Sequence, residues 1–107
     1  MSTAPKSQIL KMTDLAAYQE GSVVSRQITK ADGGNVTLFA FDAGQELSEH
    51  TAPYDALVHI LDGEAEVRIS GVSYSLAAGE AILMPANEPH ALKATKQFKM
   101  LLTMVKA

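Results

Sequence analysis

Ala56-Leu57-Val58-His59-Ile60-Leu61-Asp62-Gly63-Glu64-Ala65-Glu66-Val67-Arg68-Ile69-Ser70 is the stretch on which the fold turns. Its second half alternates apolar and charged residues with a period of two, so Ala65, Val67 and Ile69 share one face and the charges share the other. Its first half is apolar on both faces. Asp62-Gly63 between the two runs predicts a type I′ hairpin turn, because that turn asks for positive φ at both central residues. Ser70-Gly71 predicts a second turn, into the alternating run 72–76. Further strands are expected over 81–84, 91–95 and 98–105. Upstream, 23–28 and 36–41 read as a hairpin closed by Ala31-Asp32-Gly33-Gly34-Asn35. Residues 8–12 read as a short edge strand and 13–18 as a helical turn or loop. No segment sustains a helical period, and strands recur every ~8–12 residues between turn signals, which is the pattern of a sandwich or barrel.

The chain has 107 residues, which suits one domain; residues 1–7 read as a disordered lead-in and 8–107 as the domain. Hydrophobic residues make up 47% and charged residues 20%, an ordinary globular balance. A net charge of −3 without any Lys/Arg stripe argues against a nucleic-acid partner. With no cysteine there is no disulfide framework, thiolate metal site or cysteine nucleophile. Neither a signal-like apolar run nor a run of ~18 apolar residues for a membrane span is present, so a cytoplasmic protein is expected.

Two glycine-led blocks carry the remaining information. The first runs Gly44-Gln45-Glu46-Leu47-Ser48-Glu49-His50-Thr51-Ala52-Pro53-Tyr54-Asp55-Ala56 and on to Asp62-Gly63. The second runs Gly79-Glu80-Ala81-Ile82-Leu83-Met84-Pro85-Ala86-Asn87-Glu88-Pro89-His90. Together they resemble the two motifs of the cupin family, over roughly residues 36–95. Gly44, His50, Gly63, Gly79, Pro85 and His90 match. Ala52 stands where that family has a second histidine, Ala56 where it has a glutamate, Asn87 where it has a glycine and Ala94 where it has an asparagine. The resemblance implies an all-β antiparallel jelly-roll barrel in one domain, with His50, Ala52, Ala56 and His90 lining a ligand pocket at its mouth.

In the family, three histidines and a glutamate hold a divalent metal there. Imidazole and carboxylate donors suit transition metals, but here only His50 and His90 remain as metal ligands. No cofactor is firmly expected, and any divalent transition metal should be weakly bound. Glu49, Asp55, His59, Glu64 and Glu88 are the candidates for a third donor. If Ala56 faces inward, then Val58 and Ile60 do too, and Leu57, His59 and Leu61 point outward. Replacing two large polar groups by Ala52 and Ala56 either widens an apolar cavity or leaves room that Met84, Phe39, Phe41 or Leu92 fills.

Two functions stay open. One is a binding protein for a small organic ligand, such as an organic acid or sugar-like compound. The other is an enzyme, either metal-dependent with dioxygenase- or isomerase-type chemistry, or using His50 and His90 as acid/base groups. No helical pattern supports a helix-turn-helix regulator. The strand 98–105 is apolar on both faces, as is 56–61, so Leu57, Leu61, Leu101 and Val105 would expose an apolar patch on a monomer. A homodimer is expected to cover it.

Overall fold

The computed structural model of the protein describes residues 3–106. After a short 3-10 turn, Met12–Asp14, eight strands follow: β1 Val23–Ala31, β2 Gly34–Phe41, β3 Glu46–His50, β4 Tyr54–Ile69, β5 Val72–Ala77, β6 Ala81–Met84, β7 His90–Lys93 and β8 Phe98–Lys106. All pairings are antiparallel. The strand order is β1-β2-β8-β4-β7-β3, with β5 and β6 also paired to β4. The first half of β4 pairs with β8 and β6, and its second half with β5 and β7, so one strand passes through both walls of a jelly-roll barrel.

That passage corrects the expected hairpin at Asp62-Gly63. β4 runs straight through those residues, and its register against β8 slips between Ile60 and Asp62. Gly63 does take positive φ (76°), but Asp62 does not. A type I′ reversal needs both; one such residue produces a bulge that bends the strand instead. At Ser70-Gly71 both residues are left-handed, with φ of 49° and 82°, and the chain does reverse into β5.

The interior is one cluster in which Val58, Ile60, Val67, Phe41, Phe98 and Met100 are fully enclosed. Phe41 and Phe98 stack with centroids 4.5 Å apart, where the two strands approach Gly63. Val58 and Ile60 face this core and His59, opposite Leu101, faces out, as alternation requires.

The N-terminal segment departs from expectation. Residues 8–12 form no strand. The segment crosses the outer face of the β1-β2-β8-β4 wall, and Leu15, Ala16 and Tyr18 pack against Leu38, Ala40, Leu61 and Leu101. Of the lead-in 1–7, Met1 and Ser2 lie outside the described residues, while Ala4 is buried and its N–H donates to the Ile28 carbonyl at 3.0 Å. Among the described residues no helix is long and apolar enough to cross a membrane.

Candidate functional site

Both histidines reach the inner face of the barrel rim, and each arrives by a different device. His90 opens β7 two residues before Leu92, so it shares that residue's inward direction. His50 is three residues after Leu47, which by strict alternation would send it outward. The register of β3 against β7 slips between Leu47 and His50, and the extra residue brings His50 opposite His90. The row continues to Ile69 of β4. His90 is only 5% exposed, whereas His50 stands at the solvent edge.

The rings meet edge to face with centroids 4.4 Å apart, and their Nε2 atoms are 3.2 Å apart. His50 Nδ1 lies 2.7 Å from the Ser48 carbonyl and His90 Nδ1 lies 3.2 Å from the Glu88 carbonyl. A carbonyl oxygen only accepts, so each Nδ1 carries the hydrogen that it donates. Both Nε2 atoms are then bare lone pairs in the neutral rings, and they face one another. Two acceptors at this separation are stable together only with an electrophile between them, a proton or a metal ion. Burial first, and the neighbouring His50 charge second, hold the His90 imidazolium below the usual range.

The loop behind the pair is held from three directions. Ala86 N–H donates to Asp55 Oδ1 at 2.9 Å, Asn87 N–H to the Ala52 carbonyl at 2.8 Å, and Ser70 Oγ to Glu88 Oε2 at 3.0 Å. Asn87 adopts φ 66°, a region that asparagine tolerates better than most side chains. This loop points the Glu88 carbonyl at His90, a role for a main-chain atom that no residue type announces in a sequence.

The proposed third donors do not assemble here. Asp55 is engaged with Ala86, Glu88 with Ser70, Glu64 lies 3.7 Å from Lys96, and His59 is on the outer face. Glu49 is exposed beside His50, and among the described residues no three His, Asp or Glu side chains converge on a common point. Ala52 is half-buried near the loop. Ala56 is 1% exposed inside the core cluster that also holds Met84, Phe41 and Leu92. Two cavities, of about 310 and 190 Å3, lie along the outside of the β3-β7-β4 wall and beside β5; neither is lined by His50 or His90.

The depressed His90 basicity sets a pH dependence. Neutral His90 carries its full stabilising contribution above the ordinary imidazole value of 6.5, and that contribution is lost as pH falls through the lower folded value. In that window the unfolded chain binds more protons than the folded one, so stability rises with pH. Urea unfolding of the wild type from about pH 7.5 to 5 should show this slope, and His90→Asn should flatten it. Parallel profiles would mean that His90 is not the group responsible.

Two antiparallel walls closed over one apolar core, with paired imidazoles on the inner face at the rim, define a small jelly-roll barrel with a histidine mouth. The chain belongs to the cupin family: the family model described as a cupin domain matches residues 37–106. A conserved protein of unknown function from Streptococcus pyogenes is 37% identical, with 100% of this chain and 96% of that chain covered and a TM-score of 0.92. A cupin superfamily protein from Desulfitobacterium hafniense is 27% identical, covering 99% of this chain and 97% of that one with a TM-score of 0.91. A cupin 2 conserved barrel domain protein from Leptotrichia buccalis is 39% identical over 91% of this chain and 47% of its own length, with a TM-score of 0.88. No curated protein matches the chain.

Proposed function

We propose that this cupin binds a small organic acid at the rim of its barrel, with the His50–His90 pair as the recognition group. The observation behind this reading is the convergence of the two Nε2 atoms at 3.2 Å with both Nδ1 atoms committed to carbonyls. A proton taken up between the two Nε2 atoms makes the pair a local positive charge, and a carboxylate is the ligand that this charge attracts. The ligand sits on the rim rather than deep inside, because Ala56 and Met84 belong to the packed core. A cytoplasmic setting goes with this reading, since a chain without cysteine asks nothing of an oxidising compartment.

A second reading has its own observation. Two imidazole nitrogens at 2.0–2.1 Å from a tetrahedral metal ion stand ~3.3 Å apart, close to the 3.2 Å found here. His50 and His90 would then hold a divalent transition metal weakly, leaving positions that could polarise a substrate in dioxygenase- or isomerase-type chemistry. A proton relay through the pair is the metal-free form of the enzyme reading.

Calorimetric titration of chelator-treated protein with a panel of small mono- and dicarboxylates separates these readings. Binding should be present without metal, weaken as pH rises above about 7, and fall at least about tenfold in both His50→Ala and His90→Ala. Carboxylate binding that survives both substitutions would reject the site. Binding that appears only after Zn2+ or Ni2+ is added would move the assignment to the metal reading.

A further inference from the structure

The N-terminal strap lays Leu15, Ala16 and Tyr18 over Leu61 and Leu101 on the outer face of one barrel wall, while Leu57, Leu83 and Val105 further along it stay exposed. The opposite wall runs β3-β7-β4-β5, and its outer face holds the larger of the two cavities, about 310 Å3, over β3, β7 and β4. That is the small end of the roughly 300–1,000 Å3 of small-molecule pockets. Two cross-strand rows build it. In the first, Lys93 of β7 lies between Glu46 of β3 and Glu66 of β4. In the second, Ala91 of β7 lies between Arg68 of β4 and the β3 slip that holds Ser48 and Glu49. Strands β3 and β4 are two spacings apart, roughly 9.5 Å. The Ala91 methyl between them makes a low floor, and Arg68 and Glu49 line the two flanks.

The charges of this trough are not spent on one another. Among the described residues, none of Glu46, Glu49, Glu66, Arg68 and Lys93 forms an ion pair. Lys93 at least has glutamates on both sides, but the cross-strand neighbours of Arg68 are Ala91 and Ser73, neither of them charged. A guanidinium presents a planar fork that matches a carboxylate, and across the floor the Glu49 carboxylate matches an ammonium. Together they suit a small molecule that carries both groups. The lining as a whole is one charge negative, three glutamates against Arg68 and Lys93. The excess sits in the Glu46-Lys93-Glu66 row, where two carboxylates flank one ammonium, so a second cation is favoured there.

We propose that the outer trough of the β3-β7-β4 wall binds a basic amino acid. Its carboxylate lies on Arg68, its α-ammonium faces Glu49, and its side-chain cation lies along the Glu46-Lys93-Glu66 row. The trough is on the other side of the sheet from the His50–His90 pair, neither of which lines it, so it is independent of the acid-binding role given to the barrel mouth. A carboxylate without an amine meets only half of the trough's complement. Arg68 and Glu49 are both exposed, so changing either leaves the core intact.

Titration of the isotope-labelled full chain with L-lysine, followed by amide NMR shifts, tests the site. The shifts should saturate and include the amides of Ser48, Glu49, Arg68 and Ala91. Arg68→Gln and Glu49→Gln should each weaken binding at least about tenfold, and Ala91→Leu, which raises the floor, should do the same. Cadaverine, which lacks the carboxylate, and L-glutamate, which reverses the side-chain charge, should both bind at least about tenfold more weakly than L-lysine. His90→Ala should leave the L-lysine affinity within about threefold. No saturable shift up to about 10 mM L-lysine would overturn the proposal. So would cadaverine or L-glutamate binding as well as L-lysine. Binding that survives Arg68→Gln but is lost in His90→Ala would place the amino acid at the barrel mouth and equally reject the trough.

Discussion

Gly63→Ala should cost the barrel about 3 kcal/mol or more, or prevent its folding outright. A Cβ built at Gly63 would lie 1.9 Å from the Gln97 carbonyl oxygen and 3.0 Å from the Phe98 Cα, both main-chain atoms of the partner strand side. Neither can swing away as a side chain could. The residue also sits at φ 76°, where an L side chain is strained before any neighbour is counted. Relief would require β4 and β8 to separate where Phe41 and Phe98 stack. Two other glycines calibrate the effect. Gly33→Ala meets no atom within 4 Å and has no positive φ, so its change should stay within about 0.5 kcal/mol. Gly71→Ala has equal room but φ 82°, and should cost about 1 kcal/mol. Urea midpoints of the three variants give this ranking. A Gly63→Ala protein as stable as Gly33→Ala would show that β4 does not cross between the walls on this bulge.

Ala56→Glu, which restores the acidic residue of the family pattern, should destabilise the metal-free protein by about 3 kcal/mol or more. The position is 1% exposed and lies opposite Met84 on one side and Met104 on the other. A glutamate there adds volume to a filled interior and takes a carboxyl group out of water. Ala52→His, at a half-buried position near the rim, should be far milder, within about 1 kcal/mol. Combined with Ala52→His, Ala56→Glu should tighten divalent-metal binding, because the two additions bring the donors to four with His50 and His90. Thermal unfolding with and without Zn2+ distinguishes the outcomes. A stable, metal-free Ala56→Glu protein would mean that the interior beneath the histidines is roomier than its packing indicates.

Much of the architecture was readable from residues alone, because it depends on local rules. Alternation in 64–70, the apolar run 98–105 and the turn at Ser70-Gly71 correspond to β4, β8 and the β4–β5 reversal. His59 points outward for the same reason of parity. The histidine pair was legible as two matching positions in distant motifs, although alternation from Leu47 would have turned His50 outward. The slip at Ser48-Glu49 that corrects this depends on how β3 meets β7, and no period within one strand contains that information. The carbonyls of Ser48 and Glu88 were invisible for a plainer reason: every residue has one, and only folding aims it.

Asp62-Gly63 marks where the two kinds of information divide. Its residue types determined that the backbone could enter the left-handed region, and Gly63 does so. Whether that freedom reverses the chain or bends it depends on the φ of Asp62, which is set by the pairing of this stretch with β8. The N-terminal strap is a second case. Residues 8–12 have a strand's composition, but a strand needs an edge to bond to, and among the described residues they find none. Period and turn chemistry in the sequence alone thus determined a sandwich or barrel, since they act over a few residues, and the resemblance to the cupin motifs narrowed it to an antiparallel jelly roll and marked the two histidines. The through-going β4, the facing Nε2 atoms and the half-covered outer wall were decided by tertiary contacts, because each depends on which distant strand lies alongside.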